Sequence, residues 1–298
     1  MTTQPAGNSE LPRVGFVGVG IMGHGMASCL LRAGYQLTVI AHKNRIPVDD
    51  LVANGAQEAA SLAELAAESD VIMLCVSSSA VVEQVVNELA AHLKAGMTVI
   101  DTGTSSPVST QGVAAQLAAL DVAFAEAPVT GGVKQAAAGE LGALVGANEA
   151  TFANVRPLLD ACCAQVHHFG PPGAGNTAKL LNNYMVTGLI ALITETFSKA
   201  DQANIDWQKL YDVVICGSAD SGALRRIVGN AVKGDFGGYV FDVKSALKDV
   251  NYFCEMAETL DGKSPLAQAV QQVFAQANEA GHGDRLVSEL LSPEVRQH

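Results

Sequence analysis

Gly18-Val19-Gly20-Ile21-Met22-Gly23 follows the apolar run Val14–Val17 directly and opens the helical stretch Ile21–Leu31. A GxGxxG between a strand and a helix has a physical use at each glycine. Gly18 permits the tight turn, Gly20 lets a pyrophosphate approach the backbone, and Gly23 lets the helix pack on the strand. The helix start, with Ile21 and Met22, supplies free N–H groups and a partial positive charge. The loop is expected to bind a dinucleotide.

The ribose end comes next. An NAD-preferring loop ends its second strand with Asp or Glu, which bonds the ribose 2′-hydroxyl. Here the run Leu37–Ile40 leads into Ala41-His42-Lys43-Asn44-Arg45, with no acid. His42, Lys43 and Arg45 stand where a 2′-phosphate would lie. NADP is therefore expected over NAD, although charged loop tips are also common without a ligand.

Lys179 and Asn183 are four residues apart in a long run of small and apolar residues, so they share one helix face. A lysine near the start of an apolar helix is expensive to bury without a task or a partner. Burial beside a positively charged nicotinamide ring would lower its pKa and make it an acid/base near neutral pH. Proton transfer by Lys179 is the expected chemistry. Glu126-Ala127-Pro128-Val129-Thr130-Gly131-Gly132 lies at the carboxyl end of another predicted strand, where ligands bind in open α/β sheets. The Thr130 hydroxyl and the Gly131 and Gly132 amides fit a small carboxylate. Lys248-Asp249 alone reads as a solvated pair. His167–His168 has no third ligand at metal spacing and reads as structural. No metal site is expected, and the six cysteines, with no CxxC pair, read as small buried thiols.

These groups need a frame. Strand-like runs at Val14–Val17, Leu37–Ile40, Val71–Val76, Thr98–Asp101 and Val122–Ala125 alternate with helical stretches at Ser61–Ala67 and Ala80–Leu93. Further strands are expected at Leu141–Val145 and Val166–Phe169, around a helix at Glu149–Leu159. This is the pattern of an α/β, doubly wound, mostly parallel Rossmann-like sheet. After the breaker cluster Gly170–Gly175, a helix from Asn176 to about Ala203 is apolar on nearly all faces and is expected to be buried. The rest reads as helices. The division expected is residues 1–170 as a dinucleotide-binding domain and 171–298 as a long interdomain helix with an all-helical substrate and oligomerisation domain.

Composition sets limits. The 298 residues are 49% hydrophobic and carry a net charge of −12. Such a chain has the material for a sizeable core and repels nucleic acid and anionic membrane. Met1 to Leu11 is polar, without a signal-peptide core, and Tyr184–Ile193 is too short to span a bilayer. A cytoplasmic protein with no nucleic-acid or membrane partner is expected.

The motifs together resemble the β-hydroxyacid dehydrogenases, the family of 3-hydroxyisobutyrate dehydrogenase and tartronate semialdehyde reductase. GFVGVGIMG resembles the family's dinucleotide motif, and Glu126–Gly139 its DAPVSGG segment. Gly170–Asn183 resembles its GxGxxxKxxNN segment, and Phe241–Asp249 its C-terminal KD segment. The resemblance runs from about Arg13 to Gly283. It implies Lys179 as catalytic lysine and Asn183 as the substrate-orienting neighbour. It implies substrate contacts from Thr130, Gly131 and Gly132, with Lys248 reaching the active site and Asp249 supporting it. Thr104 and Val76 would lie against the cofactor. Members are commonly dimers or tetramers. Glu126 stands where Asp is common, Thr130 where Ser is common, and Gly103 replaces the usual Ser of DxST. The substrate therefore stays open among 3-hydroxyisobutyrate, tartronate semialdehyde or glycerate, succinic semialdehyde, and a β-hydroxy amino acid such as serine or threonine. A non-catalytic dinucleotide-binding protein and an imine reductase are the rival classes, and the presence of Lys179 tells against both.

Overall fold

In the computed structural model, residues Leu11–Arg296 are described. Met1–Glu10, where a polar start without a signal sequence is read, lie outside them. The elements run β1 (Val14–Val17), α1 (Ile21–Arg32), β2 (Leu37–Ile40), α2 (Ile46–Ala53), β3 (Gln57–Ala59), α3 (Leu62–Ala67), β4 (Val71–Leu74), α4 (Ser79–Leu89), β5 (Thr98–Asp101), α5 (Pro107–Ala118), β6 (Ala123–Glu126), β7 (Val129–Thr130), α6 (Val133–Ala138), β8 (Leu141–Gly146), α7 (Glu149–Asp160) and β9 (Cys163–Gly170). Helices follow: α8 (Ala174–Gln202), α9 (Trp207–Val214), α10 (Gly222–Ala231), α11 (Val243–Glu258) and α12 (Pro265–Ala277).

The chain divides into two compact units, one ending at Lys179 and one beginning at Leu180. In the first, nine strands form one sheet in the order β3-β2-β1-β4-β5-β6-β8-β7, with β9 beside β8. Pairing is parallel from β3 across to β6, and β8 runs antiparallel to β6 and β7. The strand order reverses between β1 and β4, so their carboxyl ends form the switch point where such sheets bind ligands.

All four residues of β1 and of β4 are buried, as expected of strands covered on both faces. Successive side chains feed opposite cores. Phe16, Met73 and Ile100 join Met26, Leu30 and Leu159 on one side. Val17, Ile72, Leu74 and Val99 join Leu65, Val86 and Leu117 on the other. In the second unit Ile190, Phe197, Leu224, Ile227, Val250 and Phe274 form a separate helical core.

The structure corrects several expectations. The strand expected to reach Val76 ends at Leu74, because Cys75 and Val76 turn to meet the loop after β1. Val122–Ala125 shifts by one residue, which makes Glu126 the last residue of β6. The helix expected to reach Leu93 stops at Leu89, because a turn through Gly96, at φ +86°, must return the chain to β5. Helix α8 is not buried on all faces: Leu181, Met185 and Leu192 are exposed. Nor are all the cysteines buried, since Cys216 is exposed. Among the described residues no helix is long and apolar enough to cross a membrane.

Candidate active site

The dinucleotide loop leaves β1 through Gly18, whose φ of +98° lies in the left-handed region that glycine tolerates. A Cβ there would sit 2.2 Å from the Cys75 carbonyl oxygen, and one on Gly23 would sit 2.1 Å from that of Gly18. A Cβ on Gly20 would meet nothing within 4 Å. The loop is thus tight where it packs and open where a phosphate would approach. Gly20 caps α1 without a side chain, and the first turn of α1 carries no acid. The amides of Ile21, Met22 and Gly23 therefore offer an anion site with no competing carboxylate in that turn.

Val76 joins this loop to the next. Its Cγ1 lies 3.2 Å from a Cβ built on Gly18, and its carbonyl oxygen 2.9 Å from one built on Gly103. The segment carrying Thr104, which is half-buried, is fixed by polar bonds. Asp101 accepts from the Gly103 amide at 2.9 Å and from the Ser105 hydroxyl at 2.9 Å. The Ser105 amide donates to Asn176 Oδ1 at 2.9 Å, and Asn176 Nδ2 donates to Thr110 Oγ1 at 3.0 Å. All four side chains are buried, and a satisfied buried network of this kind specifies a single geometry.

Asn176 lies on the first turn of α8, three residues before Lys179. A second tie holds that turn. Glu126 Oε1, at the end of β6, accepts from the Gly173 amide at 2.6 Å and the Gly175 amide at 3.0 Å. Burial pushes the Glu126 carboxyl up to about 8, opposed by these helix amides. Lys179 itself is 8% exposed. Asn183 follows one helical turn later, and its Nδ2 donates to Asp249 Oδ2 at 2.6 Å. Asp249 is buried, and its other oxygen lies 2.9 Å from Lys248 Nζ. Asp249 thus links Asn183 to Lys248 through its two oxygens.

The loop expected to hold the substrate carboxylate sits between β7 and α6. Gly131 has φ +114°. Thr130 Oγ1 lies 3.4 Å from the Gly142 carbonyl, a weak bond that a stronger acceptor can displace. The Gly132 amide donates to Gln135 Oε1 at 3.0 Å. Helix α6 packs on α1: a Cβ on Gly25 would lie 2.7 Å from Ala136 backbone, and Arg32 donates to the Ala137 carbonyl at 2.7 Å. The helices that follow the Gly18 loop and the β7–α6 loop are therefore stitched together.

The ribose loop is more constrained than its charges suggest. His42 and Lys43 are exposed. The Arg45 guanidinium makes a two-pronged pair with Glu58, at 2.9 Å on each prong, and reaches Asp49 at 3.0 Å. The pairing raises the Arg45 pKa further and lowers the Glu58 carboxyl. His168 Nε2 donates to the Ala147 carbonyl oxygen at 2.8 Å and stacks on Phe152, 4.4 Å between ring centroids; it is a packing residue. Among the described residues no group of three or more His, Cys, Asp or Glu is placed to hold a metal.

The residues that position Lys179 were not read from the sequence as such. Asn176 carries the same signal as Lys179, a polar side chain opening an apolar helix. Glu126 carries no local signal, because its partners lie 47 and 49 residues away.

A dinucleotide loop at a sheet switch point and a buried lysine on a tied helix turn are the parts a nicotinamide-dependent oxidoreductase requires. Residues 13–170 match the family described as the NAD binding domain of 6-phosphogluconate dehydrogenase, and 173–293 that described as NAD-binding of NADP-dependent 3-hydroxyisobutyrate dehydrogenase. The chain is 30% identical to 2-(hydroxymethyl)glutarate dehydrogenase of Eubacterium barkeri, over 94% of this chain and 93% of that one. It is 31% identical to L-threonate dehydrogenase of Escherichia coli K12, over 91% and 90%. The crystal structure of 3-hydroxyisobutyrate dehydrogenase from Salmonella typhimurium matches with a TM-score of 0.85 and 33% identity, over 94% of this chain and 98% of that one. This chain belongs to the 3-hydroxyisobutyrate dehydrogenase-like family, NAD(P)-dependent hydroxyacid dehydrogenases acting on CH–OH groups.

Proposed function

We propose that this protein interconverts a small β-hydroxy acid and its semialdehyde, with NADP(H) preferred over NAD(H), and that Lys179 Nζ moves the proton. The observation that carries the reading is the tying of the lysine turn to the Thr104 segment by Asn176 and to the end of β6 by Glu126. Both anchors lie on the carboxyl edge that also carries the Gly18 loop. The first-turn amides of α1 would hold the pyrophosphate, with Gly20 leaving room for it. The nicotinamide, when bound, accepts or supplies the hydride. In oxidation Lys179 Nζ takes the hydroxyl proton; in reduction its ammonium returns that proton and steadies the developing alkoxide. Thr130 and the Gly131 and Gly132 amides would grip the carboxylate, displacing the weak Thr130–Gly142 bond and the Gln135 side chain. Asn183, held by Asp249, would orient the hydroxyl, and Lys248 would add positive charge for an anionic ligand.

The test is a spectrophotometric panel of 3-hydroxyisobutyrate, glycerate, 2-(hydroxymethyl)glutarate, L-threonate, serine and succinic semialdehyde with each of NAD(H) and NADP(H). Turnover of at least one β-hydroxy acid, faster with NADP, is expected. Turnover of none of them, with firm dinucleotide binding, would instead mark a non-catalytic binding protein.

Cofactor preference carries its own prediction. His42 and Lys43 support the 2′-phosphate, while Glu58 and Asp49 hold the Arg45 guanidinium. Glu58→Gln removes the charge from one of those holds. The ratio of kcat/KM with NADPH to that with NADH should rise by roughly three- to tenfold, since the guanidinium is then freer to turn to a 2′-phosphate. An unchanged ratio means that Arg45 does not reach the ribose.

We further propose a homodimer or homotetramer in the cytoplasm. Leu181, Met185 and Leu192 recur along one side of α8, with Met185 71% and Leu192 62% exposed. A stripe of this kind is expected to be covered by a second copy of the chain. All six cysteines are free, which supports a reducing compartment. Met185→Glu combined with Leu192→Glu should shift the mass seen by light scattering from oligomer to monomer. A monomeric wild type would reject the assignment.

A further inference from the structure

We propose that Glu126 is a positioning residue for the reaction: it caps the lysine-bearing helix from a neighbouring strand and thereby sets where Lys179 stands. The proposal rests on the reading of Lys179 as the proton-transfer group.

The opening amides of a helix have no partners within it and are commonly satisfied by a Ser, Thr, Asp or Asn side chain at the cap. Before α8 the chain offers Gly173, at φ +99°, which has no side chain to give. The acceptor arrives instead from the end of β6, where Glu126 Oε1 takes both the Gly173 and the Gly175 amide. The carboxyl group also sits at the start of a 29-residue helix, where its oxygen meets the amides that have no partner within the helix.

The surroundings are shaped for this group. A Cβ on Gly146, which pairs with Glu126 across the sheet, would fall 1.9 Å from Oε1. A Cβ on Gly175 would fall 2.4 Å from the Leu144 carbonyl oxygen. Glycines in β8 and α8 thus make room for the carboxyl and bring the helix start against the sheet. Glu126 is fully buried, and its Oε2 has no hydrogen-bond partner. From Ala174 to Lys179 is about one and a half helical turns. Over so short a stretch a helix behaves as a rigid rod, so movement of its first turn is passed to the lysine. A misplacement of about 1 Å at a reacting group can cost about 100-fold in rate.

A residue that merely supported the fold would change stability and leave the chemistry of folded molecules alone. The experiment therefore compares Glu126→Gln, Glu126→Asp and Glu126→Ala in the full-length protein. Gln keeps an acceptor oxygen at the same reach, and kcat should stay within about threefold of wild type. Asp is one methylene short, and kcat should fall about tenfold or more. Ala removes the cap, and kcat should fall about 30-fold or more. In all three the KM for NADPH, which reports the Gly18 loop, should move less than about threefold. Gly146→Ala strikes the same carboxyl from the other side, so it should cost kcat in the wild type and little more in Glu126→Ala, a non-additive pair. Wild-type kcat in folded Glu126→Asp, equal loss in Gln and Ala, or additive losses with Gly146→Ala would each overturn the proposal. Should Ala fail to fold, the Asp and Gln arms still decide it, with the Gly146→Ala pairing run on Glu126→Asp. If the Lys179 reading is wrong, Lys179→Ala stays active; if only this proposal is wrong, Lys179→Ala is dead while Glu126→Asp is not.

Discussion

Lys179→Ala should lower kcat by about 1,000-fold or more in both directions while leaving NADPH affinity, read by fluorescence, near wild type. The side chain is 8% exposed and sits on a turn held by Asn176 and Glu126, so neither solvent nor a mobile neighbour readily replaces it. General acid/base catalysis contributes about 100- to 10,000-fold, and stabilisation of developing charge adds about 100- to 1,000-fold. Losing both functions of one amine accounts for the size. The affinity should hold because the dinucleotide loop is built from β1 and α1. Lys179→Arg separates the two functions. Arginine keeps the positive charge but does not give up its proton in proteins. In oxidation it cannot act as the base, so that direction should fall as far as with Ala. In reduction it still steadies an alkoxide, so that direction should recover in part. Equal recovery in both directions would mean that charge, and not proton transfer, is what the lysine supplies.

The sequence carried the site unevenly, and the reasons are physical. The GxGxxG loop was legible because each glycine answers a local demand: Gly18 a positive φ and Gly23 a close approach. The burial of Lys179 was legible because a charge inside an apolar helix is costly wherever that helix packs, which marks it for attention. Strands β3 and β7 were not legible. They are three and two residues long, too short for a period to show, and exist by pairing with β2 and β8. Arg45 read as a phosphate ligand because sequence shows charge and not pairing. Its partner Glu58 lies 13 residues on, brought alongside only when β3 joins β2. The exposed stripe of α8 was hidden for the opposite reason. A helix apolar on nearly every face gives no period from which an uncovered side can be read. Glu126 stood in the sequence as a departure from an expected Asp. Its extra methylene acquires meaning only beside Gly146, Gly173 and Gly175, which the fold brings to it.

Stability should fall as pH rises from about 5 to about 8, and Glu126→Gln should remove much of that slope. The Glu126 carboxyl moves from its ordinary 4.5 to about 8, chiefly through burial. Between these values the unfolded chain has released a proton that the folded chain keeps. The folded state then binds more protons, so each rise in pH favours unfolding. The contribution is complete below about 4.5 and lost as pH passes through about 8. A shift of this size corresponds to at most about 5 kcal/mol across the window, at about 1.4 kcal/mol per unit. The opposite slope comes from Asp70 and Glu58, whose carboxyls Arg13 and Arg45 lower. Those groups lose their contribution in acid, below the window. The cysteines whose thiols burial raises, Cys29 and Cys75 among them, act above about 9. Among these groups Glu126 is the one whose shift spans about 5 to 8. Urea unfolding at pH 5.5 and 8.5 reads it directly, with Glu126→Gln expected to show nearly the same midpoint at both. A wild type as stable at pH 8.5 as at 5.5 would mean that Glu126 is already ionised in the folded protein, held so by the amides of the helix it caps.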